Sequence, residues 1–287
     1  MTAFYTPLDG ALDGAPGAAD GAAGKETLEA SFRPTSATQG PWSPLTQHGG
    51  PPSALLLREM ERLAPAAGGH LARLAVDFLA PVPVAPLTVR TTVIKPGRRA
   101  QLLAGEVLAE GRTVLTARGW WRRQVADLVP EVPDGAAEPF PDPDTVPVAT
   151  ADDDLSRHLD RGWIRAMEFR YVLGGPTVQG PCRAWVRPRL PLVEGEETSP
   201  TQNAVIVADG ASGLSSALDF RTHLFSNLDL NLGFLRVPEG PWVSVDAASA
   251  LDSAGGGSTI TRLGDRRGVH GYAQQSLYVE PHGRGPA

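Results

Sequence analysis

Two short segments of this chain have the same place in the same series of elements, and that repetition limits its fold more than any single motif. The segments are VDFLAPVP, from Val76 to Pro83, and NLGFLRVP, from Asn231 to Pro238. Each follows a helical pattern. The first begins at the prolines Pro51 and Pro52, and the second is capped by Ser199 ahead of Pro200 and runs to Asp209. Proline suits a first helical turn, where its missing N–H costs nothing, and serine caps one well. Three strand patterns then follow in each half. In the first they cover Leu87–Ile94, Arg99–Val107 and Thr113–Trp121, in the second Trp242–Ala250, Gly257–Leu263 and Val269–Val279. The turns between them carry glycine, at Gly97, Gly111, Gly255–Gly256 and Gly268. The likeness lies in the order of elements rather than in residue identity, as expected of an internal duplication.

Leu28–Phe32 reads as the opening strand of the first half, and Met167–Val172 with Cys182–Arg187 as those of the second. Each half then holds one helix and about five strands, an α+β arrangement. The expected architecture is a double hotdog, two antiparallel β-sheets each wrapping a central α-helix. Its parts are a flexible N-terminal segment over 1–27, a hotdog over 28–123, a linker over 124–160 and a second hotdog over 161–282. Residues 6–25 are small, acidic and rich in glycine, with too little apolar surface to offset the entropy of ordering. The linker carries prolines at 130, 133, 139, 141, 143 and 147, which bar it from a central strand.

Composition removes several function classes. The net charge is −6 and the basic residues are spread along the chain, so no basic patch points to nucleic acid. The single cysteine, Cys182, forms neither a disulfide framework nor a zinc site, and no metal is expected. No run approaches the roughly 18 apolar residues of a membrane span, and the N-terminus lacks a secretory pattern. The expectation is a cytoplasmic protein. Gly210–Gly213 lacks the spacing of a nucleophile elbow, and the glycines at 255–257 precede a strand, so they are no phosphate loop.

Gly40–Pro41–Trp42, Gln47–His48–Gly49–Gly50–Pro51–Pro52, Asp77–Phe78–Leu79 and Gly97–Arg98 resemble the front half of proteins related to acyl-CoA thioesterase II. The back half is similar too, through Trp185–Arg187, Ala208–Asp209, Phe225–Asp229, Leu235–Trp242 and Gln275–Leu277. The resemblance is collinear from about residue 28. It implies hydrolysis of acyl-CoA to free fatty acid and coenzyme A by direct water attack, with coenzyme A as part of the substrate and no other cofactor. In that family an Asp, a Thr and a Gln hold the water. Position by position these fall on Asp209, Asn227 and Gln275, so an amide stands where the family has a hydroxyl. The resemblance also suggests a homodimer or higher homo-oligomer.

The chemistry of these residue types fits the task. A semi-buried Asp209 could take or polarise a water's proton, and two amides could orient its lone pair. Asp209 could equally do no more than end a helix and turn the chain into Gly210. Backbone N–H groups around Gly49 and Gly50 are candidates for the oxyanion, because a helix N-terminus favours anions and glycine clears the approach. His48 could donate a hydrogen bond there, but no Ser or Cys partner marks it as a base. Arg98, Arg99, Arg236, Arg266 and Arg267 lie at turns where coenzyme A phosphates could reach them. Two other readings stay open. One is a non-catalytic acyl-CoA or acyl-carrier binding protein, favoured by Asn227. The other is a hotdog dehydratase or hydratase that uses His48 with Asp77.

Overall fold

A computed structural model describes residues 2–8, 26–64, 68–135, 137–150, 162–175 and 177–283. The first half contains β1 (Tyr5–Pro7), β2 (Thr27–Pro34), α1 (Gly50–Leu63), β3 (Gly69–Phe78), β4 (Leu87–Lys95), β5 (Ala100–Ala109) and β6 (Arg112–Arg123). The second contains α2 (Gly162–Arg165), β7 (Met167–Gly175), β8 (Val178–Pro188), α3 (Pro200–Ala208), α4 (Ala211–Leu214) and β9 (His223–Asn227). It closes with β10 (Asp229–Phe234), β11 (Val243–Leu251), β12 (Gly256–Asp265) and β13 (Gly268–Pro281).

The duplication is visible in the strand order. Across the sheet the order is β1-β2-β4-β5-β6-β3-β10-β13-β12-β11-β8-β7, with β9 also on β13. With β9 set aside and each half counted from its outer edge, both run first, second, fourth, fifth, sixth, third. The expected two sheets are one, because β3 of the first half pairs antiparallel with β10 of the second, Asp77 opposite Asp229 and Arg73 opposite Gly233. Left apart, each would be an edge with unpaired N–H and C=O groups, and joining the two edges satisfies both.

α1 packs on β4 and β5 and against α3, which rests on β8, β11 and β12. Residues Gly50 to Met60 of α1 are all buried, as a helix apolar on most faces requires. The two helices cross closely: a side chain at Gly50 would meet the Ile206 carbonyl at 2.4 Å. Leu55, Leu57, Leu74, Val205 and Leu230 belong to one core that runs through both halves. Cys182 is buried and free in that core, as a small strand residue should be.

The ends of the duplicated units depart from the expected pattern. Asn227–Arg236 reads as one strand in the sequence but breaks at Leu228, whose carbonyl accepts the Phe78 N–H at 3.0 Å. That bond joins β10 to β3 and leaves β9 on β13 alone. Phe4 and Tyr5 are fully buried, and β1 pairs with β2. Residues 9–25 of the expected flexible segment lie outside the described residues, as do 151–160 of the linker. The rest of the linker lies along the second half, held by Trp185 Nε1 on the Pro141 carbonyl at 2.8 Å. Arg266 binds Asp142 and Asp144 there, at 2.7 and 2.6 Å. No helix among the described residues is long and apolar enough to cross a membrane.

Candidate active site

α3 ends at Ala208, which delivers Asp209 as its C-cap, and Gly210 turns the chain into α4. The turn is tight because a side chain at Gly210 would meet Trp163 Cη2 at 2.5 Å. Asp209 thus points toward the start of α1. Its carboxylate is 3% exposed, and Gly49 makes room for it: a Cβ there would lie 2.9 Å from Oδ2 and 2.6 Å from Phe78 Cζ.

Three donors meet this acid. His48 Nδ1 lies 2.8 Å from Oδ2, and Asn227 Nδ2 donates to Oδ1 at 2.8 Å and to the Asp209 carbonyl at 3.2 Å. The Gly50 N–H, 3.2 Å from His48 Nδ1, also donates toward the carboxylate. Burial pushes the Asp209 pKa up, but the charge and hydrogen bond of His48, with the bonds from Asn227 and Gly50, bring it below the ordinary value. The N-terminal end of α1 adds favourable dipole charge. An ionised carboxylate only accepts, so the close contact puts the proton on His48 Nδ1, and the Gly50 N–H, which also lies within reach of that nitrogen, then serves the carboxylate. In the neutral ring the lone pair is then on Nε2, which has no partner among the described residues. The ring is held flat by Trp163, with centroids 3.9 Å apart and planes 7° from parallel.

Asn227 is itself fixed by Ser212, whose hydroxyl donates to Oδ1 at 3.0 Å. Gln275 is buried and donates from Nε2 to the Asp209 backbone carbonyl at 3.0 Å, not to its carboxylate. Its Oε1 has no hydrogen-bond partner among the described residues. Asp209, Asn227, His48 and Gly49 line one cavity of about 870 Å³, and Gln275 sits behind it. Gly50 is buried beneath His48 and gives its N–H to the His48–Asp209 pair. The Gly49 N–H has no acceptor among the described residues. First-half residues His48 and Gly49 and second-half residues Asp209 and Asn227 therefore share one wall.

Some expected partners are elsewhere. Asp77 is exposed, so the acid beside His48 is Asp209 and not Asp77. Arg236 is committed to Asp265 through two bonds of 2.6 Å, Arg266 to Asp142 and Asp144, and Arg267 to Glu239. These arginines answer acids of the chain itself. Ser212 and Trp163 are the site residues that reading the sequence missed. Neither stands in a spacing that links it to Asp209, and only the bend at Gly210 brings them there.

Family models described as the acyl-CoA thioesterase N-terminal domain and the acyl-CoA thioesterase C-terminal domain match residues 38–122 and 134–279. Among solved structures, the chain is similar to a conserved protein of unknown function with a hot dog fold from Alicyclobacillus acidocaldarius. The two are 17% identical over 90% of this chain and 94% of that one, with a TM-score of 0.69. It is also similar to an acyl-CoA thioesterase II from Mycobacterium marinum, 14% identical over 88% and 94% of the two chains, with a TM-score of 0.64. These likenesses establish the hotdog fold. No curated protein matches the chain.

Proposed function

The chain belongs to the acyl-CoA thioesterase family, and from that premise we propose that it hydrolyses acyl-CoA to the free acid and coenzyme A by direct attack of water. The strand order that recurs in the two halves supports a double hotdog, one unit on each side of the β3–β10 seam. The observation that carries the mechanism is the buried, ionised Asp209 carboxylate holding His48 by Nδ1 at the cavity wall.

In this reading His48 Nε2 takes a proton from water as the water oxygen bonds to the thioester carbonyl carbon. The carbonyl oxygen becomes an oxyanion and receives the Gly49 N–H. Collapse of the intermediate breaks the C–S bond, and the imidazolium returns its proton to the departing thiolate. Asp209 is a positioning residue that fixes the tautomer and balances the imidazolium. Asn227 and Gln275 hold Asp209 by its carboxylate and its carbonyl, and Gly50 closes the Asp209 side.

The test is thiol release from acyl-CoAs of short, medium and long chain. His48→Ala and Asp209→Asn should each lower kcat by about 10²–10⁴ while the protein stays folded. If no acyl-CoA releases thiol, hydrolysis is not the function. Asn227, an amide in the place of the family's hydroxyl, favours a second reading, in which acyl-CoA or an acyl carrier is bound without turnover. Calorimetric binding with the thioester recovered intact decides for it.

A further inference from the structure

The cavity is unusually rich in aromatic side chains. Seven of the chain's eighteen Phe, Trp and Tyr residues line it. Most of them form two packed groups. Trp42, Phe220 and Phe225 make one, with centroids 5.3–6.2 Å apart. Trp163, Phe169 and Tyr171 make the other, with successive centroids 6.0 Å apart.

The polar site lies between these groups. Trp163 covers the His48 ring and abuts Gly210, next to Asp209. Phe225 and Asn227 are two residues apart on β9 and so project from the same side of that strand. An acyl carbonyl seated beside His48 and Gly49 would therefore project its acyl group among ring faces and edges. Aromatic rings favour other rings in offset-stacked or edge-on geometry, worth more than the apolar area alone. A straight alkyl chain gains no such directional term, and an aliphatic wall would suit it equally.

We propose that the acyl group this cavity selects is aromatic, an aryl or arylalkanoyl thioester. The selection rests on the hydrolytic reading above, and the same ring chemistry could instead take the adenine of coenzyme A. Thioesters of N-acetylcysteamine, which carry no adenine, separate the two sources.

The experiment compares 3-phenylpropanoyl, 3-cyclohexylpropanoyl and nonanoyl thioesters, all of nine acyl carbons, first on N-acetylcysteamine and then on coenzyme A. The 3-phenylpropanoyl ester should exceed both others in kcat/KM by about tenfold on either carrier. Phe169→Leu and Phe220→Leu should each shrink that ratio at least about threefold. Equal or better turnover of the nonanoyl ester would overturn the aromatic selection while leaving hydrolysis intact. No acyl preference on either carrier, with Phe169→Leu and Phe220→Leu raising KM for the coenzyme A esters but not for those of N-acetylcysteamine, would assign the rings to adenine and also overturn it. If nothing is hydrolysed, the function proposed above fails. Binding of the matching non-hydrolysable thioethers of N-acetylcysteamine, read by tryptophan fluorescence, then decides the selection alone. Tighter binding of the phenyl compound upholds it, and equal binding sinks it.

Discussion

Ser212 shows how much of this site depends on one hydroxyl. Asn227 presents its NH2 to Asp209 only if its amide oxygen points the other way, and Ser212 Oγ occupies that side at 3.0 Å. Without the hydroxyl, the amide can flip and turn its oxygen against a carboxylate, which would repel it. Ser212→Ala should therefore lower kcat about tenfold, the value of one lost hydrogen bond, with KM and melting temperature little changed. A rise in KM alone would reduce Ser212 to a lining residue. The resemblance pointed to Asp209 and Asn227, and residue type and position pointed to the glycines, but the partners of these residues were not visible. His48 lacks a local Ser or Cys, and nothing in its neighbourhood names an acid beyond the next several elements.

At the scale of elements, what could be read was what neighbouring residues determine. Ser199 accepts the Gln202 N–H at 3.1 Å and Gln202 Oε1 accepts the Ser199 N–H at 3.2 Å, a full capping box ahead of Pro200. Ser199→Ala should cost about 1 kcal/mol in urea unfolding. Because α3 carries Asp209 at its far end, activity should stay near wild type if the helix only loses stability. A large loss of kcat at unchanged stability would mean that the cap sets the Asp209 position. The break between β9 and β10 was not visible in this way. The sequence there suits one strand, and the bend arises because β3 claims the Leu228 carbonyl.

For the whole molecule, two groups whose pKa values are displaced by desolvation pull stability in opposite directions with pH. Burial raises Glu61 from 4.5 to about 7, against the hydrogen bond it accepts from Gln202 Nε2 at 2.7 Å. Between pH 4.5 and 7 the native state therefore binds more protons there than the unfolded chain, and stability falls as pH rises. Burial lowers His270 from 6.5 to about 4. Between pH 4 and 6.5 the unfolded chain binds more protons there, so stability rises with pH, and His70, also lowered by burial, adds to that slope. From pH 4.5 to 6.5 the opposing slopes offset one another. Glu61→Gln should uncover the histidine slope, a gain of about 2 kcal/mol in urea unfolding across that window. A flat profile in the variant would contradict the assignment. Asp209 and Asp265, both lowered overall, act at more acid pH: their stability is present above the ordinary carboxylate pKa and lost as pH falls through the folded one.

The sequence by itself determined the repeated order of helix and strands, the caps and turns that bound them, and the place of Asp209 at the end of a helix. These follow from propensity, periodicity and the special backbones of glycine and proline, which act over a few residues. Only the tertiary structure decided that the two sheets join at β3 and β10, that Asp209 meets His48 from the other half, and that two aromatic groups flank them. Those outcomes depend on which distant surfaces satisfy one another's hydrogen bonds and fill one another's space, and no local pattern carries that choice.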